Sequence, residues 1–172
     1  MSLHPVTPDG SGFRAALGSF TAGVNVISLR EADGTPRGMT ATAFSSVSAA
    51  PPLVLICVNR ANRSYERIAQ TGRFGVNILE SAAREISDHC ARPGSDKTLA
   101  GEWLSDRPEW HAPALAHALA FLDCEIEREI HAGTHAVLIA HVRGIGLGAN
   151  DHLAPEPLIH FRGAYRDLAR VA

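Results

Sequence analysis

A single stretch near the middle of the chain leaves it little choice of fold. Between Leu119 and Ile130, the residues Leu122, Cys124, Ile126 and Ile130 alternate with Asp123, Glu125, Glu127 and Glu129. A period of two puts the apolar set on one face of a strand, whereas a helix would scatter it around the circumference. The three glutamates then read as a solvated sheet face rather than a catalytic carboxylate cluster. Gly133-Thr134 turns the chain into a second apolar strand, Ala136 to Val142, so a long hairpin organises this half.

The rest of the chain fits around that hairpin. Phe13 to Thr21 reads as a short helix, with Asp9 or Ser11 as its cap and Phe13, Leu17 and Phe20 on one side. Val24 to Arg30 is a β-branched, apolar strand. Asp33-Gly34 signals a turn, and Gly38 to Ser48 resumes as an extended stretch. Pro51-Pro52 breaks it. Leu53 to Asn59 is a continuous apolar run of the kind buried on both faces. After the polar loop Arg60 to Ser64, Ser64 is placed to cap a helix through Thr71. Arg73 to Leu79 predicts a strand, Ser81 to Arg92 a helix, and Pro157 to Tyr165 a last strand. Pro93 to Pro113 has no clear period, and a loop of that length in a compact domain is often functional. No repeat or linker interrupts residues 1–172, which read as one mainly antiparallel barrel with a few peripheral helices.

Composition narrows the function. A length of 172 residues suits one domain. A net charge of -2 argues against nucleic acid as a partner, because gripping a phosphate backbone needs a basic face. No apolar run approaches the ~20 residues that span a bilayer, and Met1 to Gly12 lacks the basic start and apolar core of a signal peptide. Cys57, Cys90 and Cys124 are odd in number and show no CxxC spacing, which fits buried or half-buried thiols in a reducing compartment. The expected location is cytoplasmic, with no membrane contact.

Several motifs can be weighed as chemistry. Gly144-Ile-Gly-Leu-Gly148 superficially resembles a dinucleotide fingerprint, but Ala149 to Pro155 is loop-like where that fingerprint opens a helix. His131 and His135 have the spacing of a helical zinc pair, yet strands flank them and no glutamate occupies the required slot, so no metal site is expected. No G-x-S-x-G elbow or GxxxxGK[ST] loop is present. The informative segment is Gly38 to Ser48, where Thr40, Thr42, Ser45, Ser46 and Ser48 are interleaved with Ala and Val. It is either an ordinary Thr/Ser-rich edge strand or a neutral edge of donors that a planar ring or a phosphate can approach. Asn59 to Ser64 is either a solvated turn or a source of guanidinium and hydroxyl donors for a phosphate.

Taken together, the motifs resemble the flavin reductase-like family, the short-chain reductase partners of two-component flavin monooxygenases. The opening F-R-x-x-L-G-x-F-x-x-G-V is Phe13 to Val24, and the segment G-x-T-A-x-x-x-x-S-V-S is Gly38 to Ser48, followed by Pro-Pro-Leu at 51–53. Arg63-Ser64 ends the polar loop, F-x-V-N is Phe74 to Asn77, G-T-H is Gly133 to His135, and P-L-x-x-F-R-G-x-Y is Pro157 to Tyr165. The pieces come in family order over nearly the whole chain. Two positions depart: members often carry Asp-Lys-Phe where Asp96-Lys97-Thr98 stands, and many have Asp in place of Thr134.

The resemblance implies an antiparallel split β-barrel of the FMN-binding type, assembled as a homodimer with flavin in a groove near the subunit interface. It implies that Met39, Thr40, Ala41 and Thr42, with Ser45, Ser46, Val47 and Ser48, line the isoalloxazine and ribityl phosphate. Asn59, Arg63 and Ser64 serve the polar end of the flavin, and His135 faces the nicotinamide. The activity implied is NAD(P)H:flavin oxidoreductase, in which NADH or NADPH passes a hydride to FMN or FAD for use by an oxygenase component. The protein supplies position, water exclusion and hydrogen-bond donors. The competing readings are a non-catalytic flavin carrier or sensor on the same barrel, and an enzyme whose flavin stays bound and acts on its own substrate.

Overall fold

The computed structural model describes residues 3–106, 109–148 and 155–168. In chain order the elements are α1 (Gly10–Leu17), β1 (Ala22–Gly23), β2 (Asn25–Arg30), β3 (Pro36–Ala41), β4 (Phe44–Ala49), β5 (Pro52–Asn59), α2 (Arg63–Thr71), β6 (Arg73–Leu79), α3 (Arg84–Ala91), β7 (Ala118–Ala132), β8 (His135–Leu147), β9 (Ile159–Phe161) and β10 (Ala164–Arg166). Seven strands form one antiparallel sheet in the order β3-β2-β6-β7-β8-β5-β4, and β1, β9 and β10 form a smaller one.

The sheet is strongly curled, and a short covalent link shows it. Edge strands β3 and β4 are joined by Thr42 and Ala43 alone. Three Cα steps reach about 11 Å at most, whereas the edges of a flat seven-stranded sheet lie about 29 Å apart. The curl encloses Ile27, Leu29, Met39, Val54, Ile56, Val58, Phe74, Val76 and Leu138, and Ile68 of α2 closes one end. A second apolar cluster lies on the outer side of β2 and β6, where Val26, Leu79, Ile86, Cys90, Leu99 and Leu115 meet. There α3 packs so closely that a Cβ on Gly38 would stand 2.7 Å from the Cys90 sulfur.

The segment before β7 is anchored by polar groups in the sheet. Asn77 donates its amide to the Val26 carbonyl (3.1 Å) and the Ser28 hydroxyl (3.0 Å) and accepts from the Leu115 amide (2.7 Å). Ser28 in turn donates to the Pro113 carbonyl at 2.6 Å. The Asp123 carboxylate accepts from the amides of His111 (3.1 Å) and Ala112 (3.3 Å). These bonds hold residues 110–115 against the outer face, where Trp110 packs on Phe121 with ring centroids 4.6 Å apart.

The β framework agrees with the sequence reading, with corrections at its joints. Helix α1 begins earlier than expected and ends at Leu17, because the Asp9 carboxylate accepts from Ser11 and Gly12, each at 2.8 Å. Asn62, not Ser64, caps α2, accepting from the Ser64 amide at 3.0 Å, and Ser64 itself is buried in the first turn. The expected helix from Ser81 is a 3-10 turn, Ser81–Ala83, leading into α3. Pro157 to Tyr165 divides into β9 and β10 at Arg162-Gly163, both with positive φ. The extended stretch from Gly38 breaks at Thr42-Ala43, and β5 is not buried on both faces, since Val54, Ile56 and Val58 alternate with half-buried residues. On β7 the single wet face gives way. Asp123 is buried, and a bulge between Ile126 and Arg128 puts Glu125 and Glu129 on opposite faces, opposite His141 and Leu138 respectively. Cys90 and Cys124 are buried free thiols, and burial pushes both up to about 12. Among the described residues no helix is long and apolar enough to cross a membrane.

Candidate active site

The register across β4, β5 and β8 brings the expected residues onto a shared surface. Asn59 stands directly opposite His135, and both are exposed. Since Val58, Ile56, Ala136 and Leu138 point inward, Asn59 and His135 share the outer face with Leu55, Cys57, Val137 and Ile139. Ser45 lies opposite Leu55 and joins that face. A bulge at Val47 resets the alternation so that Ser48, opposite Leu53, joins it as well. Ser46 stands opposite Val54 at the open edge of the inner side. Thr42 and Ser46 are exposed, and neither hydroxyl has a partner among the described residues. From Asn59 to Leu53 this surface runs about 20 Å along the strands.

On β3 the contribution is main-chain rather than side-chain. Met39 lies in the core, its sulfur 3.6 Å from the Asn62 amide nitrogen, and Ala41 packs against the same core. The Thr40 hydroxyl donates to the Ser87 carbonyl of α3 at 2.6 Å, so it is committed to holding that helix. Residues 36 and 38 turn their backbone outward from the sheet edge, with Leu99 N–H donating to the Pro36 carbonyl and Gly38 N–H to the Lys97 carbonyl. By the two-residue period, the next outward-facing backbone groups are those of Thr40.

A cavity of about 540 Å³ adjoins this edge, between the start of α2 and the segment Pro93 to Lys97. Its lining includes Arg37, Arg63, Arg67 and Lys97 against one carboxylate, Asp96. Two of the cations are spoken for. Glu31 binds Arg67 at 2.5 Å and Arg37 at 3.1 Å, and Asp96 binds Arg37 at 2.8 Å. The Thr98 hydroxyl and amide, and then Arg37, hold Asp96 down at about 2. Arg63 and Lys97 have no carboxylate partner within ion-pair distance among the described residues. Lys97 is held in the left-handed region, φ 59°, where its carbonyl meets Gly38. Two uncommitted cations beside a helix N-terminus are a fit for a phosphate.

At the turn, Gly133 takes φ 57° and lets β7 reverse into β8 in two residues. The Thr134 hydroxyl lies 2.9 Å from Nδ1 of His135. His131 makes its contacts with Glu129, at 2.7 Å, and Arg60, at 3.2 Å, rather than with His135. At the opposite end of β8 the glycine-rich run continues the strand, and Trp110 explains it. A Cβ on Gly146 would come within 2.5 Å of the Trp110 ring, and one on Gly144 within 3.0 Å. The loop-like stretch expected after Gly148 falls, for residues 149–154, outside the described residues.

The model of the flavin reductase like domain matches residues 17–169. The chain belongs to that family. A probable flavin reductase of Rhizobium meliloti is 33% identical over 155 residues, covering 86% of this chain, which spans about half of that relative's length (49%). The reductase component of a 4-nitrophenol 4-monooxygenase/4-nitrocatechol 2-monooxygenase from Rhodococcus opacus is 32% identical, covering 95% of this chain and 82% of the relative. Among solved structures, the NADH:FAD oxidoreductase SgcE6 of Streptomyces globisporus C-1027 superposes with a TM-score of 0.86 at 31% identity, covering 99% of this chain and all of that one.

Within this flavin reductase domain the sequence reading missed Lys97, Arg37 and Arg67, which line the cavity together with Arg63. The Asp-Lys pair of the mid-chain loop was the available signal. Thr98, which replaces the common Phe, bonds Asp96 and, at 2.5 Å, Arg37. It fastens the loop to β3 by hydrogen bonds.

Proposed function

We propose that this chain is an NAD(P)H:flavin oxidoreductase that reduces FMN or FAD and supplies it to a partner monooxygenase. The observation that carries this reading is the pairing of Arg63 and Lys97, uncommitted cations at one cavity, with the polar outer face of β4, β5 and β8, where Asn59 stands opposite His135. The likeness to SgcE6, whose name specifies NADH and FAD, favours that pair here.

A bound flavin supplies the ring that takes a hydride from the nicotinamide. The chain's residues do the rest. Arg63 and Lys97 neutralise the flavin phosphate at the N-terminus of α2, beside Ser64. The outward backbone of Thr40, with Thr42, Ser45, Ser46 and Ser48, presents neutral donors along the ring and ribityl chain, while Met39, Ala41 and Val47 shape the edge. Asn59 and His135 would position the nicotinamide, so that hydride donor and acceptor meet without a strong acid or base.

In this reading residues 1–172 form one domain, and the curled sheet is a split barrel. The outer face of Leu55, Val137 and Ile139, together with exposed Phe13 and Leu17 of α1, is covered by a second copy in a homodimer. The enzyme works in the cytoplasm, in keeping with its free thiols.

Steady-state oxidation of NADH or NADPH by substoichiometric protein with free FMN or FAD tests the activity. Many turnovers with one flavin support it, whereas tight flavin binding without turnover makes the protein a carrier. Arg63→Ala and Lys97→Ala should each weaken flavin binding by about tenfold to a hundredfold, the value of one charge-assisted hydrogen bond. Light scattering should return twice the chain mass.

A further inference from the structure

We propose that Arg60 is the positioning residue of the nicotinamide-facing turn, holding Gly133-Thr134 so that His135 is presented in one orientation. The inference rests on the function proposed above. Two arginines three residues apart, Arg60 and Arg63, leave the same loop and take different directions.

Arg60 sits in a tight turn closed by the Asn62 amide donating to the Asn59 carbonyl at 3.0 Å, with the Ala61 amide donating to the Asn59 side chain at 3.0 Å. From there it reaches the β7–β8 turn twice and the end of β7 once. Its backbone N–H donates to the Thr134 carbonyl at 3.0 Å, and its guanidinium donates to the Gly133 carbonyl at 3.3 Å and to Nδ1 of His131 at 3.2 Å. The neighbours of His131 assign its tautomer. The Glu129 carboxylate accepts from the Tyr65 hydroxyl at 2.5 Å and lies 2.7 Å from Nε2 of His131. Nε2 therefore carries the proton, and Nδ1 presents a lone pair to Arg60.

Tyr65, Glu129, His131 and Arg60 thus form a continuous chain of hydrogen bonds that ends on the Gly133 carbonyl. Gly133 is the more permissive of the two turn residues, and an outside hydrogen bond to its carbonyl narrows the conformations the turn can take. The Gly133 carbonyl that the guanidinium holds belongs to the peptide linking Gly133 to Thr134, and the Thr134 side chain bonds the His135 ring. Orientation therefore passes from Arg60 through Thr134 to His135. Arg63 lines the cavity and makes no contact of this kind among the described residues.

The test compares Arg60→Ala, Arg60→Lys and Arg63→Ala in the full chain. The backbone bond from residue 60 to Thr134 survives each substitution, so the hairpin still folds. Arg60→Ala should raise the Michaelis constant for the nicotinamide about tenfold, as expected for losing one charge-assisted hydrogen bond, with flavin affinity within twofold. Arg63→Ala should show the reverse pattern. In ligand-free protein, imidazole nitrogen NMR should show a single tautomer of His131 and His135 in the wild type and averaging at both in Arg60→Ala, with partial recovery in Arg60→Lys. Unchanged imidazole signals in Arg60→Ala, or a loss of flavin affinity matching that of Arg63→Ala, would overturn the assignment. Failure of the wild type to oxidise either nicotinamide would sink the proposed activity instead, while the NMR result still decides the hold on the turn.

Discussion

The two ends of the β7–β8 hairpin are built from similar residue types and held by different forces. At the turn, Gly133 and Thr134 are each held by a hydrogen bond from Arg60, and the side chains around them are exposed. At the other end, Gly144 and Gly146 lie beneath Trp110, whose segment is pinned by Asn77 and Asp123. Packing tolerates no added atom, so the glycine end carries stability. A polar network near solvent can turn donors toward a ligand at small cost to the core, so the turn end carries function. Both ends resemble functional motifs in sequence, and only their partners tell them apart.

The largest effect should come from the glycine end's anchor. Asn77→Ala leaves the buried Leu115 amide and Ser28 hydroxyl short of partners, a loss of about 3 kcal/mol. In a chain of this size that is a fall in Tm of roughly 6–12 °C. Michaelis constants measured below the transition should stay within twofold of wild type. A variant with normal Tm and poor nicotinamide affinity would erase the distinction between the two ends.

Gly146→Val should come next. Its Cβ must displace the Trp110 ring, costing about 2 kcal/mol or some 4–8 °C, and tryptophan fluorescence should shift to the red as the ring meets water. Unchanged emission and melting would show that Trp110 is not what makes glycine necessary there.

The smallest effect is at the cavity and depends on pH. Asp96 is held at about 2, below the ordinary 3.8, by Thr98 first and Arg37 after it. A depressed carboxylate contributes stability above its unfolded value, near pH 4, and loses that contribution as pH falls toward 2. Wild type should therefore melt slightly above Asp96→Asn at pH 5, with the gap closing between pH 4 and pH 2. A gap that stays constant across that window would remove the carboxylate's charge from the account of the loop.

Much of this was legible in the residues because the strands declare themselves. The period of two, the Gly133-Thr134 turn and the non-fingerprint character of the glycine run all follow from local chemistry. What was not legible depends on partners distant in sequence. The bulge that separates Glu125 from Glu129 exists only against β8, and the one at Val47 only against β5. Asn62 rather than Ser64 caps α2 because the turn from Asn59 places it first. Lys97 joins the cavity only because Gly38 and Pro36 draw residues 97–99 onto the edge of β3. Thr40 kept its place at that edge, but its hydroxyl went to α3.

Rapid-mixing reduction of flavin bound to His135→Ala, across a range of NADH concentrations, tests the central division most directly. If the turn end carries function, the variant should show weaker apparent NADH affinity or slower hydride transfer, with flavin binding and Tm close to wild type. Wild-type rates and NADH affinity would contradict the account, as would a fall in Tm that weakens both ligands alike, which would make His135 a residue of the turn's structure.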